Sequence, residues 1–310
     1  MILDENFDPK KSLFLYEYKK KFIFLKKLIS TNNFPSSLLL SGNKGIGKFT
    51  LISHLLHFYF DNINYDDNNN QIKLDTAFHY QFLDNLFPNI LYLSSSNYKN
   101  VTIDDIRKLK QKLLITPILN KKRFIILDDV ETFNLNCLNA LLKILEEPGK
   151  NNHFILIDNK SKPLINTIKS RCIKIKFVLD ELSRVKIINN LINFFNHKLV
   201  LNIDLIKSSP GNFLKFNFIF DNNLDINENF STNIKSILNI YKKDKNIFIK
   251  DLLIFYVNYW FQNNYTKTLK SNNIFVDKRI FLLKQINDFF IYNLNQQTLL
   301  NSIESNLNNG

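Results

Sequence analysis

The segment LLLSGNKGIGKFTLISHLL, residues 38–56, constrains the fold more than any other part of the chain. A short apolar run ends in a glycine-rich turn, and an apolar helical pattern follows directly. Glycines let backbone N–H groups converge on a phosphate, and a helix N-terminus favours negative charge. Gly42, Gly45, Gly47 and Lys48 stand where a phosphate-binding loop needs them. The segment therefore predicts a strand, turn and helix that bind a nucleotide.

The residue after Lys48 departs from the ordinary motif. Phosphate loops place Ser or Thr there as a magnesium ligand, whereas this chain has Phe49, which offers no oxygen. Thr50 comes one position later, rotated by about 100° around the helix, and reaches the site only if the helix start is shifted. The sequence thus predicts nucleotide binding and leaves a well-formed magnesium site open.

Strand and helix patterns alternate up to about residue 177. Five short apolar runs are typical of buried strands: SSLLLSG, NILYLS, KRFIILDD, HFILID and CIKIKF. Helical patterns lie between them, and this alternation predicts a parallel sheet covered on both faces. We also expect a helix over residues 12–30 and a polar loop over residues 61–75.

The strand patterns fade after Phe177. Residues 181–222 predict a few short helices broken by SSPGN, and residues 228–305 predict longer helices. The expected organisation is an α/β domain at 1–177, a small helical domain at 178–223 and an all-helical domain at 224–310. Seven residues of the last domain are expected to be buried: Phe230, Ile237, Leu252, Leu253, Phe255, Trp260 and Leu282.

Two carboxylates follow the apolar strand FIIL. Asp128 is delivered to the carboxyl edge of the predicted sheet, where ligands bind in such folds, and is expected to face a magnesium ion. Asp129 stands where many ATPases have a glutamate that orients the attacking water. Aspartate is shorter by one methylene, and a displacement of about 1 Å can lower a rate about a hundredfold. Hydrolysis by this chain is therefore left open.

Composition narrows the class of protein. The net charge of +13 is compatible with a nucleic-acid partner, but Lys, Asn, Ile and Phe are all abundant, which indicates a codon bias. The two cysteines, Cys137 and Cys172, are too few for a disulfide framework or a four-cysteine zinc module. No signal peptide and no membrane span is evident, so we expect a cytoplasmic protein with no membrane partner.

The stretch NALLKILEEPGKNNHFILIDNKSKPLINTIKSRCIKIKF strongly resembles the clamp-loader ATPases of bacterial DNA polymerase III, members of the AAA+ class. The spacing of Asn139–Pro148 and Leu164–Cys172 matches the family without a gap. The resemblance extends upstream to FPSSLLLSGNKGIGKFTL, FPNILYLS and TIDDIRKL. It implies an AAA+ P-loop domain, then a small helical lid and a helical collar that holds an oligomer together.

The resemblance also implies roles for individual residues. The arginine of SRC is Arg171, which corresponds to an arginine finger that projects into the nucleotide site of a neighbouring subunit. Asn159, or alternatively Asp158, falls where the family places a polar group that senses the γ-phosphate. From the residues alone, Cys172 is expected to be a packing residue, because it has no cysteine partner and no histidine nearby in sequence. His54 and His57 are likewise expected to be packing or surface residues.

Within the family, the delta-prime subunit is the better match. Phe49 and Asp129 replace motor residues, the lid segment SSPGNFLKF has Gly211 where motors have an arginine, and zinc-binding cysteines are missing. The resemblance then implies a hetero-oligomer with gamma/tau and delta subunits, acting with the sliding clamp and primer–template DNA. ATP or ADP would be held without hydrolysis, with no zinc. The alternatives left open are an ATP-hydrolysing gamma/tau motor and, third, a stand-alone nucleotide kinase.

Overall fold

The computed structural model describes residues 7–95, 101–117, 119–244, 248–265 and 272–308. These residues divide into two compact units. The first, here called the sheet unit, comprises residues up to Ile187 together with Ser209–Gly211. The second, here called the helical unit, comprises Ile188–Ser208 and the chain from Asn212 onwards. The three-domain division expected from the sequence stays a prediction.

The strands all belong to the sheet unit. In chain order, the strands of the described residues are β1 (Ser37–Ser41), β2 (Tyr65–Asp66), β3 (Gln71–Ile72), β4 (Ile90–Ser94), β5 (Arg123–Asp128), β6 (Asn152–Asp158) and β7 (Ile173–Lys176). Five of them form one parallel sheet in the order β4-β5-β6-β1-β7. The five strands predicted from the sequence are thus confirmed, as is the parallel α/β fold.

Twelve helices surround or follow the sheet in the described part of the chain. They are α1 (Lys19–Ser30), α2 (Lys48–Phe60), α3 (Ala77–Leu83), α4 (Ile103–Leu114), α5 (Leu135–Glu146), α6 (Asn166–Lys169), α7 (Glu181–Phe194), α8 (Pro210–Asn223), α9 (Phe230–Asp244), α10 (Phe248–Tyr265), α11 (Asn272–Tyr292) and α12 (Gln296–Asn308). None of these helices combines the length and the apolar character that a membrane span requires.

The two faces of the sheet are buried in separate clusters. Leu38 and Leu40 of β1 lie in a cluster with α1, α2 and α3, whereas Leu39 lies in a cluster with α4 and α5. Successive side chains of a strand point to opposite faces, so an unbroken apolar run is what a doubly covered strand needs. β7 is an edge strand and is exposed along most of its length.

Two expectations near the N-terminus were wrong. The helix predicted over residues 12–30 begins only at Lys19, because Tyr18 has a left-handed backbone with φ 67° and Phe14 pairs with Gln71 instead. The loop predicted over residues 61–75 contains a 3-10 turn at Asn62–Asn64 and the β2–β3 hairpin. Local polarity cannot reveal either feature, since both depend on pairing between distant segments.

The region from residue 181 also differs from expectation. It holds two 14-residue helices, α7 and α8, rather than a few short ones. SSPGN does not break a helix: Pro210 is the first residue of α8, a position where its fixed φ and missing N–H are tolerated. The long helices α9 to α12 confirm the predicted helical C-terminal region. Of the seven residues expected to be buried there, six are, while Trp260 is half-buried.

Candidate nucleotide site and an exposed arginine

The phosphate loop joins β1 to α2, and its glycines are required by geometry. Gly47 precedes α2 with φ 94°, a conformation that residues with a Cβ rarely adopt. A Cβ at Gly42 would lie 2.6 Å from the carbonyl oxygen of Phe177, so only glycine fits beside the chain that leaves β7. The loop therefore has the backbone form that the sequence predicted.

Lys48 is buried at the start of α2 and turns back onto its own loop. Its Nζ donates to the carbonyl oxygens of Gly42 at 2.6 Å and Asn43 at 2.7 Å. Burial lowers the pKa of Lys48 to about 8, against the opposing effect of nearby carboxylates, of which Asp128 is the first. Lys48 thus remains mainly protonated at neutral pH and can satisfy either these carbonyls or an incoming phosphate.

Phe49 points away from the loop into the apolar core. Its ring lies 5.6 Å from the ring of Tyr92, edge to face, and 6.5 Å from that of Phe82. Thr50 follows it in α2 and is half-buried. The position that ordinarily holds a magnesium ligand is therefore used for packing.

Asp128 and Asp129 lie at the carboxyl end of β5, beside the end of β6. Asp129 is buried and has a left-handed backbone, φ 54°, and its N–H donates to Asp128 Oδ1 at 2.9 Å. The amide of Asn159 donates to Asp129 Oδ1 at 2.7 Å and to Asp128 Oδ1 at 3.3 Å. Lys44 of the phosphate loop lies 3.7 Å from Asp129 Oδ2. Residues from three distant parts of the sequence thus form one network.

Burial dominates the electrostatics of Asp128. Together with the neighbouring Asp129 carboxylate, it raises the pKa of Asp128 to about 6, although Lys44 and Lys48 act in the opposite direction. Tyr92 Oη lies 3.4 Å from Asp128 Oδ2. Burial, followed by the Asp128 charge, holds the pKa of Tyr92 above its usual range, so the phenol keeps its proton and can donate.

The two residues proposed as γ-phosphate sensors are separated by the structure. Asn159 contacts the aspartate pair, whereas Asp158 accepts hydrogen bonds from Ser41 Oγ at 2.7 Å and Lys160 N at 3.0 Å. Asp158 thus links the ends of β6 and β1. Sequence reasoning missed Tyr92 and Lys44 as members of the site. Lys44 could have been identified from its position within the phosphate loop, whereas no signal in the sequence marks Tyr92.

Gly211 belongs to the sheet unit and contacts the phosphate loop. Its N–H donates to the carbonyl oxygen of Gly45 at 3.0 Å, and a Cβ placed on Gly211 would lie 3.0 Å from the same oxygen. A side chain at this position meets the loop at the limit of normal contact. The departure noted in the sequence is therefore matched by a backbone contact between Gly211 and Gly45.

Magnesium, which the fold family implies at such a loop, does not fit the residues present. Phe49 supplies no oxygen, and the oxygens of Asp128 and Asp129 already have protein partners. Within the described ranges, no group of three or more His, Cys, Asp or Glu side chains is arranged to hold a metal. The cationic groups at the site are the amino groups of Lys44 and Lys48.

Arg171 lies between α6 and β7, and its hydrogen bonds go to residues outside the phosphate loop. Nε donates to Glu146 Oε1 at 2.7 Å, a terminal nitrogen donates to the same oxygen, and the other terminal nitrogen donates to Thr167 O at 3.0 Å. A third of the side chain is exposed, at 34%. Glu146, the last residue of α5, is a third residue that sequence reasoning missed, although it lies within the LEEP stretch.

Cys172, which follows Arg171, packs against the cluster formed by Leu39 with α4 and α5. Burial raises the pKa of its thiol to about 11, so little thiolate exists at neutral pH. This is consistent with a packing residue.

Comparisons with known proteins identify a family for this chain. A family model described as DNA polymerase III, delta subunit, matches residues 18–181. The DNA polymerase III subunit delta' of Buchnera aphidicola subsp. Schizaphis graminum is 31% identical over 140 residues, which cover 44% of this chain and 40% of that protein. Subunit delta' of Pseudomonas aeruginosa is 37% identical over 76 residues, 24% of this chain and 23% of that protein. The matches thus span less than half of these relatives.

A solved structure extends the likeness of fold over nearly the whole chain. A DNA polymerase III gamma subunit-related protein from Thermotoga maritima matches with a TM-score of 0.54. The match covers 92% of this chain and 98% of that one, at 17% sequence identity. At this identity the match shows a shared fold.

Proposed function

The chain belongs to the DNA polymerase III delta subunit family of AAA+ clamp-loader proteins, and from this premise we propose that it is a delta-prime-like subunit of a clamp loader. In this role it helps to load the sliding clamp onto primed DNA as part of a DNA polymerase III holoenzyme. It does not hydrolyse ATP itself, and it donates Arg171 to the nucleotide site of a neighbouring gamma/tau subunit.

The observation that carries this proposal is the state of Arg171. Its guanidinium is partly exposed and held by Glu146 and Thr167. Arginine has five N–H donors, and these contacts leave two of them available. A guanidinium fixed in advance, with donors still free, is suited to charge that develops on a phosphoryl group supplied by another subunit.

The chain's own loop supports a role without hydrolysis. Phe49 removes the hydroxyl that a motor needs for magnesium, and Asp129 is engaged by Asn159. Gly211 contacts Gly45 where a motor would place an arginine. We propose that ATP or ADP is held here through Lys48 and the backbone of the loop, as a structural ligand.

The proposed partners follow from this role. Gamma/tau and delta subunits would assemble with the chain into a cytoplasmic hetero-oligomer. The sliding clamp and primer–template DNA would be engaged through the complex. The predicted collar, residues 224–310, would hold the oligomer together.

The alternative is an ATP-hydrolysing motor of the gamma/tau type. It is favoured by one observation: Asp128, Asp129 and Asn159 are gathered beside a phosphate loop that retains Lys48 and Lys44. In that case the chain would use its own site and require a finger from elsewhere.

Reconstitution of the clamp loader with variants of this chain separates the two proposals. With Arg171→Ala, the delta-prime role predicts that ATPase and clamp-loading rates fall by about a hundredfold or more. With Lys48→Ala, it predicts rates within about threefold of wild type. Arg107→Ala is the matched control, because Arg107 is also exposed and paired with a carboxylate, Asp104. Size-exclusion chromatography first checks that each variant enters the complex. If Arg171→Ala and Lys48→Ala lower the ATPase and clamp-loading rates by equally large factors, the delta-prime role is contradicted.

A further inference from the structure

Both carboxylate oxygens of Asp128 are engaged by groups of this chain. Oδ1 accepts from the N–H of Asp129 at 2.9 Å and from the amide of Asn159 at 3.3 Å. Oδ2 faces the phenolic oxygen of Tyr92 at 3.4 Å. The Tyr92 hydroxyl therefore contacts the one carboxylate oxygen, Oδ2, to which Asp129 and Asn159 do not donate.

Ser94 hydrogen-bonds to the hydroxyl of Tyr92, and two further neighbours hold the ring of Tyr92 in place. The ring of Phe49 meets it edge to face with centroids 5.6 Å apart, and the amino group of Lys10 lies 4.6 Å from the ring centroid. Lys10 is itself buried and donates to Asn85 Oδ1 at 2.6 Å. Phe49 thus does more than remove a hydroxyl, because it also packs against the residue that contacts Asp128.

The charge of the aspartate pair is balanced without a metal. Lys44 lies 3.7 Å from Asp129 Oδ2, and Lys48 is buried near Asp128. Two lysines supply the same charge as one divalent cation. A Mg²⁺ ion that bound Asp128 Oδ2 would compete with the Tyr92 hydroxyl for that oxygen and would be repelled by the buried amino group of Lys48.

We propose that Tyr92 is a positioning residue that takes the place of the metal in this site. Phe49 and Tyr92 act as a pair: the first removes a magnesium ligand, and the second occupies the carboxylate that would contact the ion. The ligand class that fits the loop is a metal-free nucleoside polyphosphate, bound by Lys48 and Lys44. This inference concerns the chain's own site and is independent of the role proposed for Arg171.

The test measures the binding of a fluorescent ATP analogue to the full-length chain, once with EDTA and once with Mg²⁺. The variants are Phe49→Thr, Tyr92→Phe and the double variant. Tyr59→Phe is the matched control, since Tyr59 is an aromatic residue on α2 whose hydroxyl contacts Lys122 N instead. Melting curves verify that each variant is folded. Because Tyr92→Phe keeps the ring against Phe49, it remains informative if Phe49→Thr fails to fold.

For the wild type, the control and Phe49→Thr, the analogue should bind in EDTA, and Mg²⁺ should change the affinity less than about twofold. In Tyr92→Phe the Mg²⁺ effect should reach about threefold, and in the double variant about tenfold or more. Absence of binding to the wild type in both solutions overturns the proposed ligand class, and two further results overturn the proposal for Tyr92. One is Mg²⁺-dependent binding in the wild type or in Phe49→Thr at the level of the double variant. The other is no Mg²⁺ effect in either variant that carries Tyr92→Phe. A clamp-loading defect of Arg171→Ala would test the role proposed for Arg171 and would not affect either of these binding results.

Discussion

Arg171 and Glu146 are joined by a fork in which Nε and one terminal nitrogen of the guanidinium donate to the same carboxylate oxygen. Glu146 is the last residue of α5, and Arg171 follows α6, so the contact connects two ends of the stretch that carries the family resemblance. Both side chains are partly exposed, and such pairs add little to stability in general. We therefore expect Glu146 to orient Arg171 rather than to stabilise the fold.

Replacing Glu146 should weaken an arginine finger without removing it. In a reconstituted clamp loader, Glu146→Ala should lower the ATPase rate by about threefold to tenfold, less than Arg171→Ala, because misplaced catalytic groups lose part of their effect. Steady-state ATP hydrolysis with saturating clamp and primed DNA measures this. Glu147→Ala is the control, as it removes the adjacent exposed carboxylate. If the Glu146 and Glu147 variants have equal rates, Glu146 does not orient Arg171.

Phe49 should be important for stability, whatever its effect on nucleotide. Its ring is 7% exposed and packs against Tyr92 and Phe82, so Phe49→Ala should lower the free energy of unfolding by about 3 kcal/mol. Phe24→Ala is the control on α1, because that ring is 51% exposed and should cost less than about 1 kcal/mol. Urea unfolding of both variants gives the comparison. Equal losses would mean that Phe49 is not a core residue.

Gly211 should resist even the smallest side chain. A Cβ would lie 3.0 Å from the carbonyl oxygen of Gly45, which accepts the N–H of Gly211. Gly211→Ala should therefore lower the free energy of unfolding by about 1 kcal/mol, as tight contacts in packed regions do. Asn212→Ala, one residue further along α8, should change it by less than about 0.5 kcal/mol. A Gly211→Ala variant as stable as the wild type would show that the loop yields to a Cβ.

The sheet and the pair Asp128–Asp129 could be predicted from the sequence for a physical reason. A strand buried on both faces must be apolar throughout. FIIL and HFILI can therefore be recognised as strands without knowledge of the rest of the fold. Parallel strands end at one edge, which brings residues that follow different strands together. The contact of Asn159 with the aspartates follows from that rule.

The contacts of Tyr92 and Glu146 could not be predicted in the same way. Tyr92 reads as one more apolar residue of a strand, and its contact with Asp128 depends on the packing of Phe49 and Lys10 from other elements. Glu146 reads as a solvated residue near the end of a helix. Side-chain pairing across elements is set by tertiary packing, which local periodicity does not encode. The left-handed backbone of Tyr18 belongs to the same class.

His57 should make the sheet unit sensitive to acid. It is buried, with Nδ1 at 2.8 Å from Ser53 O and Nε2 at 3.1 Å from His79 Nδ1, and Asp61 is the nearby carboxylate. Burial lowers the pKa of His57 to about 4, and the backbone contact opposes this only in part. His54, buried beside Tyr65, has its pKa lowered to about 3 by the same cause.

A histidine whose pKa is lower in the folded state binds its proton preferentially when unfolded. The contribution of this histidine to the free energy of unfolding is fully present above the unfolded pKa, near 6.5. It falls as the pH drops towards the folded pKa of about 4. Between pH 7 and pH 5, His57 should contribute a loss of about 2 kcal/mol. Urea unfolding of the wild type and His57→Phe at both pH values measures it. The variant should show a pH-dependent loss smaller by about this amount, because the phenyl ring binds no proton and any cost of the substitution itself cancels between the two pH values. An unchanged difference would mean that His57 accepts a proton in the folded state as readily as in the unfolded chain.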